Sequence, residues 1–283
     1  MRAHIRLLRP RQWIKNGFVI APIVFARQMA DIDAWQHVIL AAFCFLCLSC
    51  MAYIFNDICD AREDRLHPVK KRRPVASGDT SVLQAAIMGC MFAAVTLFTL
   101  SLLPFQCAIV AMLYVLINLS YTFYLKRIAI IDVFLIASCY VLRVLMGCYA
   151  LQVGASPWII LTTFLLALFL GFGKRYHEMG FEDYTKYKPS LRHYNRNLLD
   201  RLVTISGGAA LITYAIYTAE IARQTSQVGI VYTVGFVAFG LFRYLQSIYV
   251  FNEGGEPENI VLKDTFQLAN FAAWLLAMLW LMG

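Results

Sequence analysis

Apolar runs of nearly membrane-spanning length recur along this chain, and they limit it to very few folds. His37 to Phe55, Ser81 to Leu103, Ile131 to Ala150 and Pro157 to Gly173 each approach the ~20 apolar residues a helix needs to cross ~30 Å of hydrocarbon. Within lipid, only helices and closed barrels satisfy every backbone polar group. A barrel would show ~10-residue segments of alternating polarity, whereas these runs are apolar on every face. With 60% hydrophobic and 15% charged residues, the chain is expected to be an all-α, polytopic membrane bundle. Residues 1–283 are read as a single integral-membrane domain.

Placing a helix on each apolar run gives nine, at about 14–30, 36–55, 81–103, 106–121, 131–149, 157–173, 203–221, 228–248 and 265–282. The charges orient them. With the N-terminus cytoplasmic, the inner segments carry 21 of the 25 Lys and Arg residues, and the outer loops carry only Arg27 and Arg223. That imbalance follows the positive-inside rule. A cleaved signal peptide ending near "VFARQMA" would also begin basic and then turn apolar, but cleavage there would discard the basic N-terminal segment. The net charge of +8 belongs to the cytoplasmic face, where anionic lipid attracts cations; it does not point to nucleic acid. The eight cysteines lie in or beside apolar helices, apart from Cys59, and no C-x-x-C pair sits in a loop. The stripe of Cys44, Cys47 and Cys50 reads as small apolar packing.

The polar segments are unequal. Those after Phe55 and Gly173 are long and charge-dense, while the outer turns "LPFQ" and "QVGASP" are short, so function is expected on the cytoplasmic side. In "FNDICDAREDRLHP", Asp57, Asp60 and Asp64 stand at i, i+3 and i+7. On a continuous helix at ~100° per residue they share an arc of ~60°. Carboxylates so placed repel unless a cation lies among them, and the spacing suits Mg²⁺, which takes one or two carboxylates together with water and phosphate oxygens. Asn56 adds an amide ligand or orienter. The plainer alternative is a solvated helix end on which Arg62 and Arg65 pair with the acids.

Cations flank the same face. Lys15, Lys70, Arg73, Lys126, Lys174 and Arg175 are expected to converge with the aspartates, as a diphosphate carrying Mg²⁺ would require. The alternative is ordinary positive-inside anchoring, which is the reading for Lys71 and Arg72. Asp132 and Arg143 fall on one face of the 131–149 helix, about 16 Å apart. An arginine that deep needs an anion, a ring of carbonyls or a water cavity, so Arg143 either lines a substrate cavity or pairs structurally with another helix. Asn118 is read as an interhelical hydrogen-bonding residue.

With these residues assembled, Asn56-Asp57-Ile58-Cys59-Asp60-Ala61-Arg62-Glu63-Asp64 resembles the N-D-x-x-D-x-x-x-D motif of the UbiA superfamily of intramembrane prenyltransferases. The segments "LRPRQWIKN", "NDICDAREDRLHPVKKRRPVASG", "YTFYLKR", "VLRVLMG", "GKRYHEM" and "GEPENIVLKD" together resemble its decaprenyl-phosphate phosphoribosyltransferase branch. They run from Leu8 to Asp264. The resemblance implies a nine-helix bundle around a cytoplasm-facing polar cavity in the inner membrane. It further implies transfer of 5-phosphoribose from phosphoribosyl diphosphate (PRPP) to a polyprenyl phosphate in cell-wall precursor synthesis. On that reading Asp57, Asp60 and Asp64 hold Mg²⁺. Asp57, Asp60, Lys126 and Lys174 carry catalysis, and Lys15, Asn56, Arg62, Lys70, Arg73, Tyr121, Arg143, Arg175 and Glu178 bind substrate. A homo-oligomer is compatible with the sequence.

One departure separates this chain from the superfamily's aromatic prenyltransferases. Their second D-x-x-x-D is replaced by Lys174-Arg175-Tyr176-His177-Glu178, with Glu182 and Asp183 further on. Cations in that place favour a phosphate on the second substrate over a second metal. Three rivals fit less well. Aromatic prenyl transfer lacks its second acidic pair. A CDP-alcohol phosphotransferase would need Gly where Ala61 stands. A transporter would place its charges near the midplane, often in paired halves.

Overall fold

The computed structural model describes residues 2–66, 70–180, 188–251, 255, 260 and 263–282. Every regular element among them is helical. Eight are long and apolar enough to cross a membrane: α1 (Ile32–Cys59), α2 (Val82–Leu100), α3 (Phe105–Phe123), α4 (Ile131–Ala150), α5 (Pro157–Glu178), α6 (Arg196–Thr225), α7 (Val234–Tyr249, entered through a 3-10 segment Val228–Thr233) and α8 (Thr265–Met282).

The expected first span, 14–30, is not a continuous helix. Its residues form a 3-10 helix, Pro10–Asn16, followed by two four-residue turns, Gly17–Ile20 and Pro22–Phe25. Pro22 has no N–H with which to continue the ladder and breaks it at Ala21. Residue Arg27 then takes a left-handed backbone, φ 57°. The count of span-length helices among the described residues is therefore eight, where nine were expected.

Polar caps set the other boundaries. Asp31 accepts from the Asp33 N–H at the start of α1. Ser81 and Gln84 form a reciprocal capping box at α2. Ser156 caps α5, with Pro157 at its first position, and Asn195 accepts from the Leu198 N–H at α6. Such caps satisfy amide groups that a helix leaves orphaned at its start. They carry α1 and α6 several residues beyond the apolar runs that marked them.

The chain comprises two compact units. The first contains Met1–Ile23, Asp31–Tyr124 and Leu142–Gly154. In it α1 lies along α2, over buried Leu7, Ile54, Ala61, Val75 and Ala85. Gly147 of α4 meets the backbone of Val19 so closely that an added Cβ would strike the Val19 carbonyl oxygen, so only glycine fits.

The second unit contains Val24–Ala30, Leu125–Val141 and Ala155–Gly283. Here α5 lies along α6, and Phe169, Phe172, Leu199, Val203, Tyr244 and Ile248 form the centre of its core. At Gly171 an added Cβ would come within 2.5 Å of the Val133 side chain. In both units large apolar side chains also face outward, among them Leu97, Phe98, Ile212, Leu276 and Trp280. A bundle solvated by lipid tails exposes apolar faces in this way.

Candidate active site

The first unit carries an acidic turn at the end of α1. The helix stops at Cys59, the backbone opens at Asp60 (φ −88°, ψ 0°), and a six-residue helix, Ala61–Leu66, resumes. The Asp64 N–H still donates to the Asp60 carbonyl at 2.8 Å, so the break is a local bend. It changes the expected display of three carboxylates on one arc. Asp57 and Asp64 are turned inward, 2% and 3% exposed, while Asp60 is half-buried. Arg62 sits two residues before Asp64, roughly 200° around the helix. It is exposed and takes no part in the ion pairs of the buried acids.

Two guanidinium groups hold the buried acids. Arg73 Nη1 donates to Asp64 Oδ2 at 2.7 Å and stands 3.3 Å from Asp57 Oδ1. Pro74 opens the short helix Pro74–Ser77 and leaves Arg73 extended at its start, which aims the side chain back at the acids. Arg9 Nη2 donates to the same Asp57 Oδ1, and its guanidinium lies 5.0 Å above the Tyr53 ring. Asp57 Oδ2 is buried without a hydrogen-bond partner among the described residues. Beside it, Asn56 Oδ1 accepts from the Thr122 hydroxyl at 2.7 Å, which fixes the amide.

Sequence reasoning chose Lys15 from "LRPRQWIKN" and passed over Arg9, though both lie in one basic stretch. What brings Arg9 to Asp57 is a turn. Leu7, at the end of the helix Arg2–Leu7, is fully buried in the core beneath the acids. Trp13 donates its indole N–H to the Leu8 carbonyl at 3.0 Å, and Arg9 itself is left-handed, φ 51°. Lys15 and Lys70 are both half-buried in the same unit.

Arg143 also belongs to the first unit. Its Nε donates to Asn16 Oδ1 at 3.2 Å, and the guanidinium faces the rings of Phe45 and Tyr114, at 5.0 and 5.6 Å. At 3% exposure, it is engaged structurally by an amide and two aromatic faces. Of the two readings set out for Arg143, the structure displays the pairing with other elements.

The second unit carries its own polar cluster. Asp132, fully buried, accepts from Arg175 Nε at 2.8 Å, the Tyr194 hydroxyl at 3.0 Å and the Ser190 hydroxyl at 3.3 Å. Arg175 Nη1 reaches Glu178 Oε2 at 2.8 Å, and Lys188 Nζ reaches the same oxygen at 2.9 Å. Burial, reinforced by the charge of Arg175, pushes the Lys188 ammonium down to about 7, against the opposing pull of Glu178 and Asp132. Burial and the neighbouring Asp132 raise the Tyr194 phenol. Arg175 and Glu178, expected to bind substrate, are thus tied into a buried ion-pair network. Ser190, Tyr194 and Lys188 were missed, because their partners are remote in sequence. Lys126, Lys174 and His177 are half-buried in this unit, and Tyr121 is half-buried in the first. Glu182 and Asp183 lie outside the described residues, as does most of "GEPENIVLKD".

Residues 18–270 match the UbiA prenyltransferase family. The chain belongs to that family. Among curated relatives, a decaprenyl-phosphate phosphoribosyltransferase from Mycolicibacterium smegmatis is 31% identical, over 96% of this chain and 89% of the relative. One of the same name from Mycobacterium tuberculosis is 28% identical, over 96% and 91%. A UbiA homolog from Archaeoglobus fulgidus, solved bound to GPP and Mg²⁺, superimposes with a TM-score of 0.75 at 18% identity, covering 98% of this chain and 99% of its own. That likeness establishes the UbiA fold, and the eight apolar helices together with the family match make this an integral, multi-pass membrane protein.

The acidic turn fits a divalent cation. A carboxylate oxygen buried without a donor is an incomplete ligand set, and Asp57 Oδ2 is one. No three acidic, histidine or cysteine side chains among the described residues enclose an ion by themselves. Mg²⁺ does not need such a cage. It is held by one or two carboxylates and completes its shell with water and substrate phosphates, which suits Asp57 with Asp64 or Asp60.

Proposed function

We propose that this protein moves 5-phosphoribose from PRPP to a polyprenyl phosphate and releases diphosphate. The observation that carries the reading is the match, along 96% of the chain, to relatives bearing that activity in their name. The acidic turn supports it, since a buried aspartate with an open oxygen beside two guanidinium groups suits a magnesium-bound diphosphate.

A phosphate oxygen of the lipid bonds to the anomeric carbon of the ribose as the bond from that carbon to the diphosphate breaks. The attacking group is already an anion, so no strong base is required. Two anions must instead be brought together and oriented. Asp57, with Asp60 and Asp64, is proposed to hold Mg²⁺, which when bound neutralises charge developing on the leaving diphosphate. Asn56, fixed by Thr122, orients a ligand there. Lys15, Lys70 and Arg73 are the proposed diphosphate cations of the first unit, with Tyr121 a hydrogen-bonding residue for substrate. Lys126 and Lys174 are further proposed catalytic cations. Arg175 and Glu178 act by positioning, through their network with Asp132 and Lys188, and Arg143 by bracing α4 against Asn16. The charge asymmetry of the loops supports a cytoplasmic N-terminus and a site open to the cytoplasm.

A substrate-pair assay tests the proposal. Purified protein with Mg²⁺ is offered PRPP plus polyprenyl phosphate, and separately an isoprenyl diphosphate plus 4-hydroxybenzoate. Phosphoribosylated lipid in the first mixture and no prenylated aromatic in the second is the expected result; the reverse pattern would refute the assignment.

A further inference from the structure

The two buried acids of the acidic turn are already balanced. Asp57 and Asp64 supply two negative charges, and Arg9 and Arg73 supply two positive charges against them. Asp60 is half-buried and Glu63 exposed, where solvent screens charge more strongly. A bare divalent cation entering this pair of acids meets two resident guanidinium groups in a poorly solvated place, where like charges repel strongly. A divalent cation that arrives with a diphosphate brings a net negative charge, and the same guanidinium groups then attract it.

The two arginines are not equivalent. Arg73 is anchored on Asp64 at 2.7 Å and lies farther from Asp57, at 3.3 Å. It therefore keeps a carboxylate partner if Asp57 is taken by a metal. Arg9 has Asp57 as its ionic partner among the described residues and otherwise rests on the Tyr53 ring. Its side chain is 25% exposed against 1% for that of Asp57, so solvent, and an anion in it, reaches Arg9 while scarcely reaching the acid. Its backbone sits in the left-handed region immediately before Pro10, which a non-glycine residue rarely adopts and which surrounding contacts must impose. The Arg9 N–H donates to the Arg6 carbonyl, its own carbonyl accepts from the Gln12 N–H at 2.8 Å, and Trp13 closes the turn.

We propose that Arg9 is a resident counter-ion of Asp57 that holds the metal site against bare Mg²⁺ and passes to the diphosphate when metal and diphosphate arrive together. The inference rests on the proposed function and deepens it: the protein binds its metal as a metal–diphosphate complex. Metal and diphosphate are then positively coupled, and the coupling is reciprocal.

The test uses Mn²⁺ as the probe. Water-proton relaxation separates protein-bound Mn²⁺ from Mn²⁺–diphosphate in solution, and the purified full chain is titrated with Mn²⁺ alone and with inorganic diphosphate present. In the wild-type protein diphosphate should tighten Mn²⁺ binding by about tenfold or more. In Arg9→Gln, Mn²⁺ alone should bind about tenfold tighter than to wild type, and the effect of diphosphate should nearly vanish. Arg9→Lys keeps the charge and should retain part of the coupling, which covers the case in which the glutamine variant is unstable. Arg6→Gln, at the exposed pair with Asp79, should behave as wild type. If Arg9→Gln or Arg9→Lys binds Mn²⁺ with wild-type affinity and undiminished coupling, the counter-ion role is wrong while the proposed function stands. If the wild-type protein binds Mn²⁺ neither alone nor with diphosphate or PRPP, the proposed function fails and takes this inference with it.

Discussion

Asp57 and Asp64 lie on either side of a break in the helix that bears them, and Arg73 bridges both. The bridge couples the acidic turn to the start of the helix Pro74–Ser77, so that ligand placement and local folding depend on one guanidinium.

Arg73→Gln should therefore reduce both stability and turnover. Removing a partner from a buried pair is strongly destabilising, but Arg73 is a quarter exposed, so we expect a loss of about 1–3 kcal/mol after screening. Thermal unfolding in detergent reads the first effect and phosphoribosyl transfer the second. Arg73→Lys should recover charge but not the two-carboxylate bridge, which depends on the planar fork. Wild-type stability and turnover in Arg73→Gln would rule the bridge out.

Asp132→Asn should destabilise the second unit more severely, by about 3–5 kcal/mol, because the buried Arg175 would lose its fully buried carboxylate and keep only Glu178. The side chains involved are 0% and 3% exposed, so solvent cannot compensate. A melting temperature within a degree of wild type would show that Asp132 is dispensable.

Stability should rise as pH increases above neutrality, in part through Lys188. Its folded pKa lies at about 7, below the ordinary lysine value of 10.5, so between these pH values the unfolded chain binds more protons than the folded one. Unfolding free energy then increases with pH across that window and is lower at and below pH 7. The neighbouring charges are Arg175, Glu178 and Asp132. Lys188→Met should have a flatter stability profile than wild type between pH 7 and 9. Parallel profiles would contradict the shift.

Asn16→Ala should cost about 1–3 kcal/mol, since Arg143 would lose a hydrogen-bond acceptor while buried. Chemical denaturation of the two proteins in the same detergent gives the difference directly. An unchanged midpoint would mean that Arg143 is held without Asn16.

The membrane-spanning architecture was legible because the bilayer imposes length and polarity on each segment separately. The N-terminal span is the weakest of the apolar runs, because hydropathy sums over a window while Pro22 acts at a single amide and splits the helix there. At the site, the spacing of Asp57, Asp60 and Asp64 singled out one acidic segment, but the periodic reading assumed a continuous helix, which the bend at Asp60 interrupts. Arg9 and Lys15 were indistinguishable as members of one basic stretch; the left-handed turn at Arg9 brings that residue to Asp57. Arg175 and Glu178 were expected to bind substrate; the buried network that holds them was not legible, because Asp132, Ser190 and Tyr194 converge on Arg175 only through the packing of α4, α5 and the segment before α6.

The most direct measurement is the rate of PRPP-dependent phosphoribosyl transfer by wild-type and Asp57→Asn protein, with chelator and then with excess Mg²⁺. Wild type should lose turnover in EDTA and regain it with Mg²⁺, while folded Asp57→Asn should remain at least ~100-fold slower at every Mg²⁺ concentration. Transfer by Asp57→Asn at the wild-type rate, or wild-type turnover indifferent to EDTA, would contradict the account.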